Sequence, residues 1–185
     1  MIRTILAAIA LLLSLSASAQ IKQQQVTSTQ IATLKAACIA DVAVCKPLHD
    51  AADDVGLAAY FNADTVTFIV WRTAVTKEEL TQNDLFDWTR VDNLSVGKAR
   101  IWALMFDNST NSINPSKANV RAGIAAAWTG TAADNAVQAA ILAQCKRSAT
   151  RAERILATGT GTTGTPAVLT FQGSISVGEA SLIRS

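Results

Sequence analysis

The sequence predicts a mainly α-helical fold: a small, compact domain of five or six helices around one long helix at about residues 131–157. Half of the 185 residues are hydrophobic, but aromatic residues make up only 5% because alanine supplies much of the apolar content. This composition favours closely packed alanine-rich helices, with the four tryptophans as large core residues. Only two short segments, near residues 65–71 and 167–171, have the pattern of β-strands.

The segment Thr131–Ala157 has the longest uninterrupted helical pattern in the chain. Thr131 is a suitable N-cap, and Asp134 three residues later suits the positive end of the helix dipole. The apolar stripe that follows consists of Val137, Ile141, Cys145, Ala149, Ala152 and Leu156. The second half carries four basic residues, Lys146, Arg147, Arg151 and Arg154. Cations suit the negative end of a helix and Gly159 supplies a stop, so we predict a rod of roughly 40 Å with a solvated basic face.

Shorter helices are predicted before this segment. Thr27 and Gln30 resemble a capping box for a helix that runs to about Val44 and ends at Pro47. A second helix is predicted from His49 to Tyr60.

Three further helices and one last helical turn are predicted outside the long segment. Thr76 and Glu79 form a capping box for one of them, and a helix from Ser95 to about Asp107 comes next. The residues of that helix predicted to face the core are Ile101, Leu104 and Met105. Asn114-Pro115 is a suitable start for a helix that ends at Gly130 and places Val120, Ile124 and Trp128 on one face. Ser176 and Glu179 predict one last helical turn near Leu182.

The two strand segments are far apart in the chain. Thr65–Trp71 is rich in β-branched and aromatic residues, and Ala167–Phe171 alternates as a short strand. Between the long helix and the second strand, Gly159–Pro166 has three Gly and four Thr, which predicts a flexible loop. The edges of the second strand have two possible partners: the first strand of the same chain, or the sheet of a neighbouring subunit.

The first twenty residues differ in composition from the rest of the chain. A positive start, the apolar run Ile5–Leu15 and the small residues Ala17-Ser18-Ala19 form the pattern of a secretory signal peptide. The apolar run is about half of the ~20 residues that a spanning helix requires, so no stable membrane span is expected. Residues 21–29 are polar and predicted to be a linker, which leaves residues 30–185 as a single helical domain.

No pattern in the chain predicts a catalytic, cofactor or metal site. His49 is the only histidine, so a Ser-His-Asp or Cys-His site would need it, and no catalytic signature surrounds it. The Gly159–Pro166 loop lacks the Gly-Lys-Ser/Thr ending of a phosphate-binding loop and precedes a strand instead of following one. Asp53 and Asp54 are adjacent, so on a helix they would point about 100° apart and would not act as a carboxylate pair.

Charge and aromatic residues argue against specific nucleic-acid binding. The formal net charge is only +2, whereas a nucleic-acid binder shows a strongly basic stripe. The four tryptophans, Trp71, Trp88, Trp102 and Trp128, are predicted to lie in the core, because a base-stacking platform would need interleaved basic residues on a sheet.

The three cysteines lack metal-site spacing. On one continuous helix, Cys38 and Cys45 would lie about 10 Å apart along the axis, beyond the ~7 Å that a disulfide tolerates between Cα atoms. A bond would require the helix to end early, near Ala43. We therefore predict that Cys38, Cys45 and Cys145 are free and largely buried.

Five segments of the chain carry a recognisable pattern. They are TLKAACIADVAVCKPL (Thr33–Leu48), TFIVWRTAV (Thr67–Val75), FDWTRVDNLSVGKARIW (Phe86–Trp102), INPSKANVRAGIAAAWTGTAAD (Ile113–Asp134) and CKRSATRAERILATGTGTTGTPAVLTFQG (Cys145–Gly173). These segments resemble a small family of hypothetical proteins of tailed bacteriophages and prophages. The resemblance covers roughly residues 30–185, and residues 1–29 depart from it because the family begins just before the first helix. It implies a phage or prophage origin and a role in the particle, and it brings no catalytic residues.

These observations predict a non-enzymatic virion structural or assembly protein of the head–tail, connector or tail region. Its expected partners are other phage structural proteins or copies of itself, and its expected location is the virion. The alternative is an exported periplasmic or envelope-directed protein of phage origin, without catalytic activity, from which residues 1–19 are cleaved. An enzyme is the third hypothesis, and the single histidine and the lack of any motif argue against it.

Overall fold

The computed structural model describes residues 25–185, and the signal-peptide-like segment 1–20 and residues 21–24 of the predicted linker lie outside the described residues. About 53% of the described chain is helical and the β component is small, which confirms the predicted mainly α character. Residues 25–185 form nine α-helices instead of five or six, together with a 3-10 helix at Trp88–Asn93. The α-helices are α1 (Ser28–Ala40), α2 (Cys45–Asp50), α3 (Asp54–Asn62), α4 (Lys77–Thr81), α5 (Val96–Leu104), α6 (Ala118–Ala127), α7 (Ala132–Gln144), α8 (Arg151–Leu156) and α9 (Val177–Arg184).

Two antiparallel pairs of strands make up the sheet structure of the described chain. β1 (Asp64–Trp71) pairs with β4 (Lys146–Thr150), and the register shifts between Thr65 and Ile69. β2 (Val75–Thr76) pairs with β3 (Ser112–Ile113). The strand predicted near residues 65–71 is therefore present, and its main partner is a segment that was predicted to be helical.

The predicted helix at 131–157 is correct as far as Gln144 and wrong beyond it. α7 begins as expected, with Thr131 and Asp134 in a capping box. A second capping box interrupts the pattern: the hydroxyl of Thr150 accepts from the backbone N–H of Glu153, and the Glu153 carboxylate accepts from that of Thr150. The intervening residues form β4, which hydrogen-bonds to the backbone of β1, a strand that would otherwise bury unpaired N–H and C=O groups. The predicted apolar stripe is nevertheless buried on both sides of the break.

The segment predicted as a second strand lies against the same strand within the chain. The Ala167 N–H donates to the Ile69 carbonyl at 2.9 Å, and the Trp71 N–H donates to the Ala167 carbonyl at 3.0 Å. Ala167 and Val168 form isolated bridges, with Val70 and Thr158, and residues 169–171 do not continue them as a strand. Phe171 is fully buried, so this segment takes the first of the two partners that the sequence left open.

α1 ends at Ala40, four residues before the predicted end at Val44, and this early end changes the state of two cysteines. The Asp41 side chain accepts from the backbone N–H of Val44 at 3.1 Å and turns the chain. Cys38 and Cys45 then form a disulfide with a Cα–Cα distance of 5.0 Å. The prediction of three free thiols was therefore wrong for this pair.

The helix predicted from His49 to Tyr60 is divided into α2 and α3. Ala52 has a positive φ of 55°, which ends the first helix. The Asp53 side chain accepts from the backbone N–H of Gly56 at 2.8 Å and caps the second helix. A local cap thus begins α3 inside the segment that was predicted to be one helix.

Buried side chains form two large clusters and one small one. The first joins α1, α2, α3, α8 and α9, and its largest buried members are Leu34, Leu57, Phe61, Phe171, Ile175 and Ile183. The second joins the end of β1 to α4–α7, and its aromatic members are Trp71, Phe86, Trp102, Phe106 and Trp128. A small third cluster, Val70, Ala149 and Ala167, lies in the β region.

Candidate interaction surface

α5 presents apolar side chains to solvent on the face that was predicted to be internal. The helix begins close to its predicted start at Ser95, and the Ser95 side chain caps it. Trp102 and Phe106 are buried, and their rings lie edge to face with centroids 4.9 Å apart. Ile101 and Leu104 are 39% and 57% exposed. The predicted inward orientation of these two was wrong, because neighbouring helix positions point about 100° apart and the larger aromatic rings occupy the core side.

A cleft of about 460 Å³ lies between α5 and α6. Its apolar lining comes from Ile101, Leu104, Met105, Ile113 and Val120, and its polar lining from one serine and two asparagines. Gly123 faces the Met105 side chain, since a Cβ atom there would be 3.4 Å from the Met105 sulfur. The cleft is therefore an apolar depression with hydrogen-bonding groups among its lining residues.

Leu104 also borders a second cleft of about 360 Å³. Charged side chains of Lys77, Arg100 and Asp107 line this second cleft. An exposed apolar ridge between two depressions, with polar and charged groups nearby, has the composition of a small protein–protein interface: an apolar centre and a polar rim.

The α6 wall of the first cleft is held by the turn that precedes the helix. α6 begins at Ala118 instead of at Asn114-Pro115, because the Asn114 side chain accepts from the Ser116 N–H at 3.1 Å and forms a turn. Arg121 donates to the carbonyls of Pro115 and Ser116 at 2.7 Å and 2.9 Å. The guanidinium of Arg121 also lies 4.8 Å from the Trp71 ring centroid, which anchors this wall to the aromatic core.

The histidine and the two adjacent aspartates lie outside this surface and have different contacts. His49 lies in α2, with Nδ1 3.2 Å from a carboxylate oxygen of Asp50. Its Nε2 is buried without a hydrogen-bond partner among the described residues. Asp53 caps α3, whereas Asp54 accepts from the Arg184 Nε–H at 2.7 Å. The two aspartates therefore act separately, as local structural groups.

The Gly159–Pro166 loop has defined contacts with β1 and β4, which the prediction of a flexible loop did not include. The Ile69 N–H donates to the Gly161 carbonyl at 2.7 Å, and the Lys146 ammonium donates to the Thr163 carbonyl at 2.9 Å. Gly161 has a positive φ of 67°, and a Cβ atom there would lie 2.3 Å from the Phe68 ring. Glycine is thus required at this position for packing against β1.

Three of the four tryptophans lie in the core, as predicted. Trp71, Trp102 and Trp128 are at most 8% exposed, whereas Trp88 is 57% exposed. Trp88 lies in the 3-10 helix and contacts Phe86 edge to face. The prediction was wrong for this one residue, which lies on the surface over the edge of the aromatic cluster.

The basic residues predicted as one solvated helix face are distributed among different partners. The Lys146 ammonium lies 5.3 Å from the Trp71 ring centroid. Arg147 forms an ion pair with the buried carboxylate of Glu153. The other two arginines, both in α8, border a separate polar pocket. Because the predicted helix is broken at β4, these side chains do not share one face.

Among residues 25–185, no group of three His, Cys, Asp or Glu side chains is arranged to hold a metal ion. Within the same range, we find no helix with the length and apolar content needed to span a bilayer. A comparison of the chain with protein-family models found no match, and comparisons with curated proteins and with solved structures found none either.

Proposed function

We propose that this chain is a non-enzymatic component of a tailed-phage or prophage particle that acts in assembly through protein–protein contacts at the head–tail, connector or tail region. The observation that carries this proposal is the exposed apolar ridge of α5. Full burial of a leucine side chain is worth about 1.5–3 kcal/mol. With Leu104 57% exposed, much of that stabilisation remains for a partner to supply.

The occupant of the two clefts is a neighbouring particle protein, which presents apolar side chains with an acidic group beside them. The charged groups in the lining of the second cleft are Lys77, Arg100 and Asp107, two cations and one anion. An acidic group on the partner complements this balance and excludes basic neighbours. A second copy of this chain is the other outcome, and the oligomeric state of the purified protein separates the two.

The proposal also rests on the resemblance of residues 30–185 to the phage family described above. Mass spectrometry of purified particles tests it directly. Tryptic peptides such as Ala122–Lys146 are expected in the particles in a constant ratio to the major capsid protein. Their absence from particles, with the chain present in the lysate, contradicts a virion role.

A pair of substitutions on the same helix tests the surface. Leu104→Gln is expected to lower the amount of this chain in particles about tenfold, because a loss of roughly 1.4 kcal/mol of binding free energy changes an equilibrium by that factor. Val96→Gln is the matched control, since Val96 is 87% exposed and borders neither cleft. Both variants should melt at the wild-type temperature. Equal incorporation of both variants would place the interface elsewhere.

The disulfide favours a second candidate function, that of an exported periplasmic or envelope-directed protein. Disulfides persist in oxidising compartments and are rare in the reducing cytosol. The Cys38–Cys45 bond and the signal-peptide-like residues 1–20 therefore point in the same direction. Intact-mass measurement of the protein from the periplasm is the test: removal of residues 1–19 and one oxidised cysteine pair support export, and an intact, fully reduced cytoplasmic chain contradicts it.

A further inference from the structure

A polar pocket of about 400 Å³ lies where α1, α3 and α8 meet, and it shares no lining residue with the two clefts beside α5. Its lining residues are Ala37, Asp41, Tyr60, Arg151, Arg154 and Ile155. Two cations and one anion face it together with an aromatic ring and two apolar side chains. Nothing in the assembly proposal uses these groups.

The carboxylate in this pocket already has its own donors. One oxygen of Asp41 accepts from the backbone N–H groups of Ala43 and Val44 at 3.3 Å and 3.1 Å. Its other oxygen accepts from the Tyr60 hydroxyl at 2.6 Å. These bonds, with the Tyr60 hydroxyl the largest cause, lower the pKa of Asp41, so it is a charged and satisfied acceptor at neutral pH.

The two arginines, in contrast, have donors to spare. Neither the Arg151 nor the Arg154 guanidinium forms a hydrogen bond or an ion pair within residues 25–185. The guanidinium of Arg151 lies 4.3 Å from the Tyr60 ring centroid. A guanidinium stacked in this way uses its face and leaves the N–H groups of its edge free to bind an anion.

The positions of these groups are set by the fold. The two arginines are three residues apart on α8 and therefore lie on one face of the helix. The backbone N–H of Arg151 donates to the Ala63 carbonyl at 2.9 Å, which ties the start of α8 to the end of α3. The Tyr60 hydroxyl donates a hydrogen bond to Asp41, which fixes the position of the ring. Asp41 lies in the turn that the Cys38–Cys45 disulfide closes.

We propose that this pocket binds a monocarboxylate attached to a small apolar group. The charged lining residues sum to one positive charge, which one monoanion neutralises, whereas a dianion would leave excess negative charge beside Asp41. The planar fork of Arg154 matches the two oxygens of a carboxylate. Tyr60, Ala37 and Ile155 supply the surface for the apolar part of the ligand.

A carboxylate of this kind has two sources, a small organic acid or the C-terminus of a peptide with an apolar last residue. The chemistry of recognition is the same for both. Benzoate is the probe for the first source, and a short peptide ending in leucine, with a free or an amidated C-terminus, is the probe for the second.

Titration of the full chain by nuclear magnetic resonance and calorimetry tests the proposal. Benzoate is expected to shift the signals of Tyr60, Arg151 and Arg154 saturably, whereas its neutral analogue benzamide should not. Arg154→Gln is expected to weaken benzoate binding at least about fivefold, because it removes a charge-assisted hydrogen bond. Lys117→Gln is the control, since Lys117 is an exposed cation that lines neither this pocket nor the two clefts beside α5.

Each possible result either supports or overturns the proposed carboxylate site. No saturable benzoate binding, equal binding of benzamide, or wild-type affinity in Arg154→Gln overturns the proposal. Tighter binding of inorganic phosphate than of benzoate overturns the choice of a monoanion. An unchanged melting temperature of Arg154→Gln excludes unfolding as the cause of a lost site. Tighter binding of the free peptide than of both its amide and benzoate assigns the pocket to a protein C-terminus; the reverse order assigns it to a small acid.

Discussion

Arg147 donates two parallel hydrogen bonds to Glu153 across the junction between β4 and α8, from Nη1 to Oε2 at 2.7 Å and from Nη2 to Oε1 at 2.6 Å. The Glu153 side chain is only 2% exposed and also accepts from the Thr150 N–H at 3.0 Å. One carboxylate thus caps α8 and pairs with a residue of the strand before it. This pair joins the two elements that replace the second half of the predicted long helix.

Removing the cation of this pair should destabilise the protein strongly. Arg147→Met leaves the buried Glu153 carboxylate without its charged partner, and the expected loss is about 3 kcal/mol, the lower end of the range for a broken buried pair because Arg147 is 31% exposed. Urea unfolding followed by circular dichroism measures it. Arg154→Met, at an exposed position of α8, should change stability by less than about 0.5 kcal/mol. A similar small loss for both variants would mean that the ion pair contributes little.

The apolar stripe of α7 should carry a large part of the stability of the second core cluster. Ile141 is 1% exposed, so Ile141→Ala is expected to lower the free energy of unfolding by about 2–5 kcal/mol. Val96→Ala, at a position 87% exposed, is the control and should lie within about 0.5 kcal/mol of wild type. Both free energies of unfolding are extrapolated from urea titrations with one common m-value. Overlapping values would show that this face of α7 is not buried in solution.

Thiol counts should reveal one free cysteine. Burial raises the pKa of the Cys145 thiol to about 12, so it should resist labelling at pH 8 in the folded protein and react once the chain is unfolded. The expected counts are none in the native protein and one in the unfolded, unreduced protein. A count of three after unfolding would show that Cys38 and Cys45 are not bonded.

The disulfide should add stability through the short loop that it closes. Cys38 and Cys45 are seven residues apart in sequence, and the chain-entropy relation gives about 2–3 kcal/mol for a loop of this length. The melting temperature of a Cys145→Ser background should therefore fall when reductant is added. The control is a Cys38→Ser, Cys45→Ser, Cys145→Ser variant, whose melting temperature should not respond to reductant.

The Arg90–Asp134 pair predicts a loss of stability in acid. Hydrogen bonds from Arg90, the largest cause, and from Thr131 lower the pKa of Asp134 below its ordinary value of 3.8. A carboxyl whose pKa is lower in the folded state stabilises the protein fully above about pH 5 and loses this contribution as the pH falls through 3.8 towards the folded pKa. Urea midpoints at pH 7, 5 and 3 should fall less steeply for Asp134→Asn than for wild type.

Asp92→Asn is the control for this pH dependence, because Asp92 is exposed and takes no part in an ion pair among the described residues. Its acid profile should follow that of the wild type. If Asp134→Asn also follows the wild-type profile, titration of the Asp134 carboxyl is not the cause of the lost stability in acid.

Four helix starts and the apolar stripe from Val137 to Leu156 were features that could be predicted from the sequence. The capping boxes of Thr27 and Gln30, Thr76 and Glu79, Thr131 and Asp134, and Ser176 and Glu179 are all present. Each depends on two side chains three residues apart, so no distant part of the chain is needed to form it. The strand at residues 65–71 was likewise evident, because its β-branched and aromatic composition is local.

Only the tertiary structure decided which segments that are distant in the sequence contact each other. Residues 146–150 continue a helical pattern, but they pair with β1. The backbone N–H and C=O groups of this eight-residue strand need hydrogen-bond partners, and the sequence of β1 does not show which segment supplies them. The disulfide depended on where α1 ends, which is set by the Asp41 side chain and the turn after it. The exposure of Leu104 was also decided by the tertiary structure, because Trp102 and Phe106 fill the core side of this segment and Leu104 remains outside. The pocket around Arg154 depends on the meeting of α1, α3 and α8, which are far apart in the sequence.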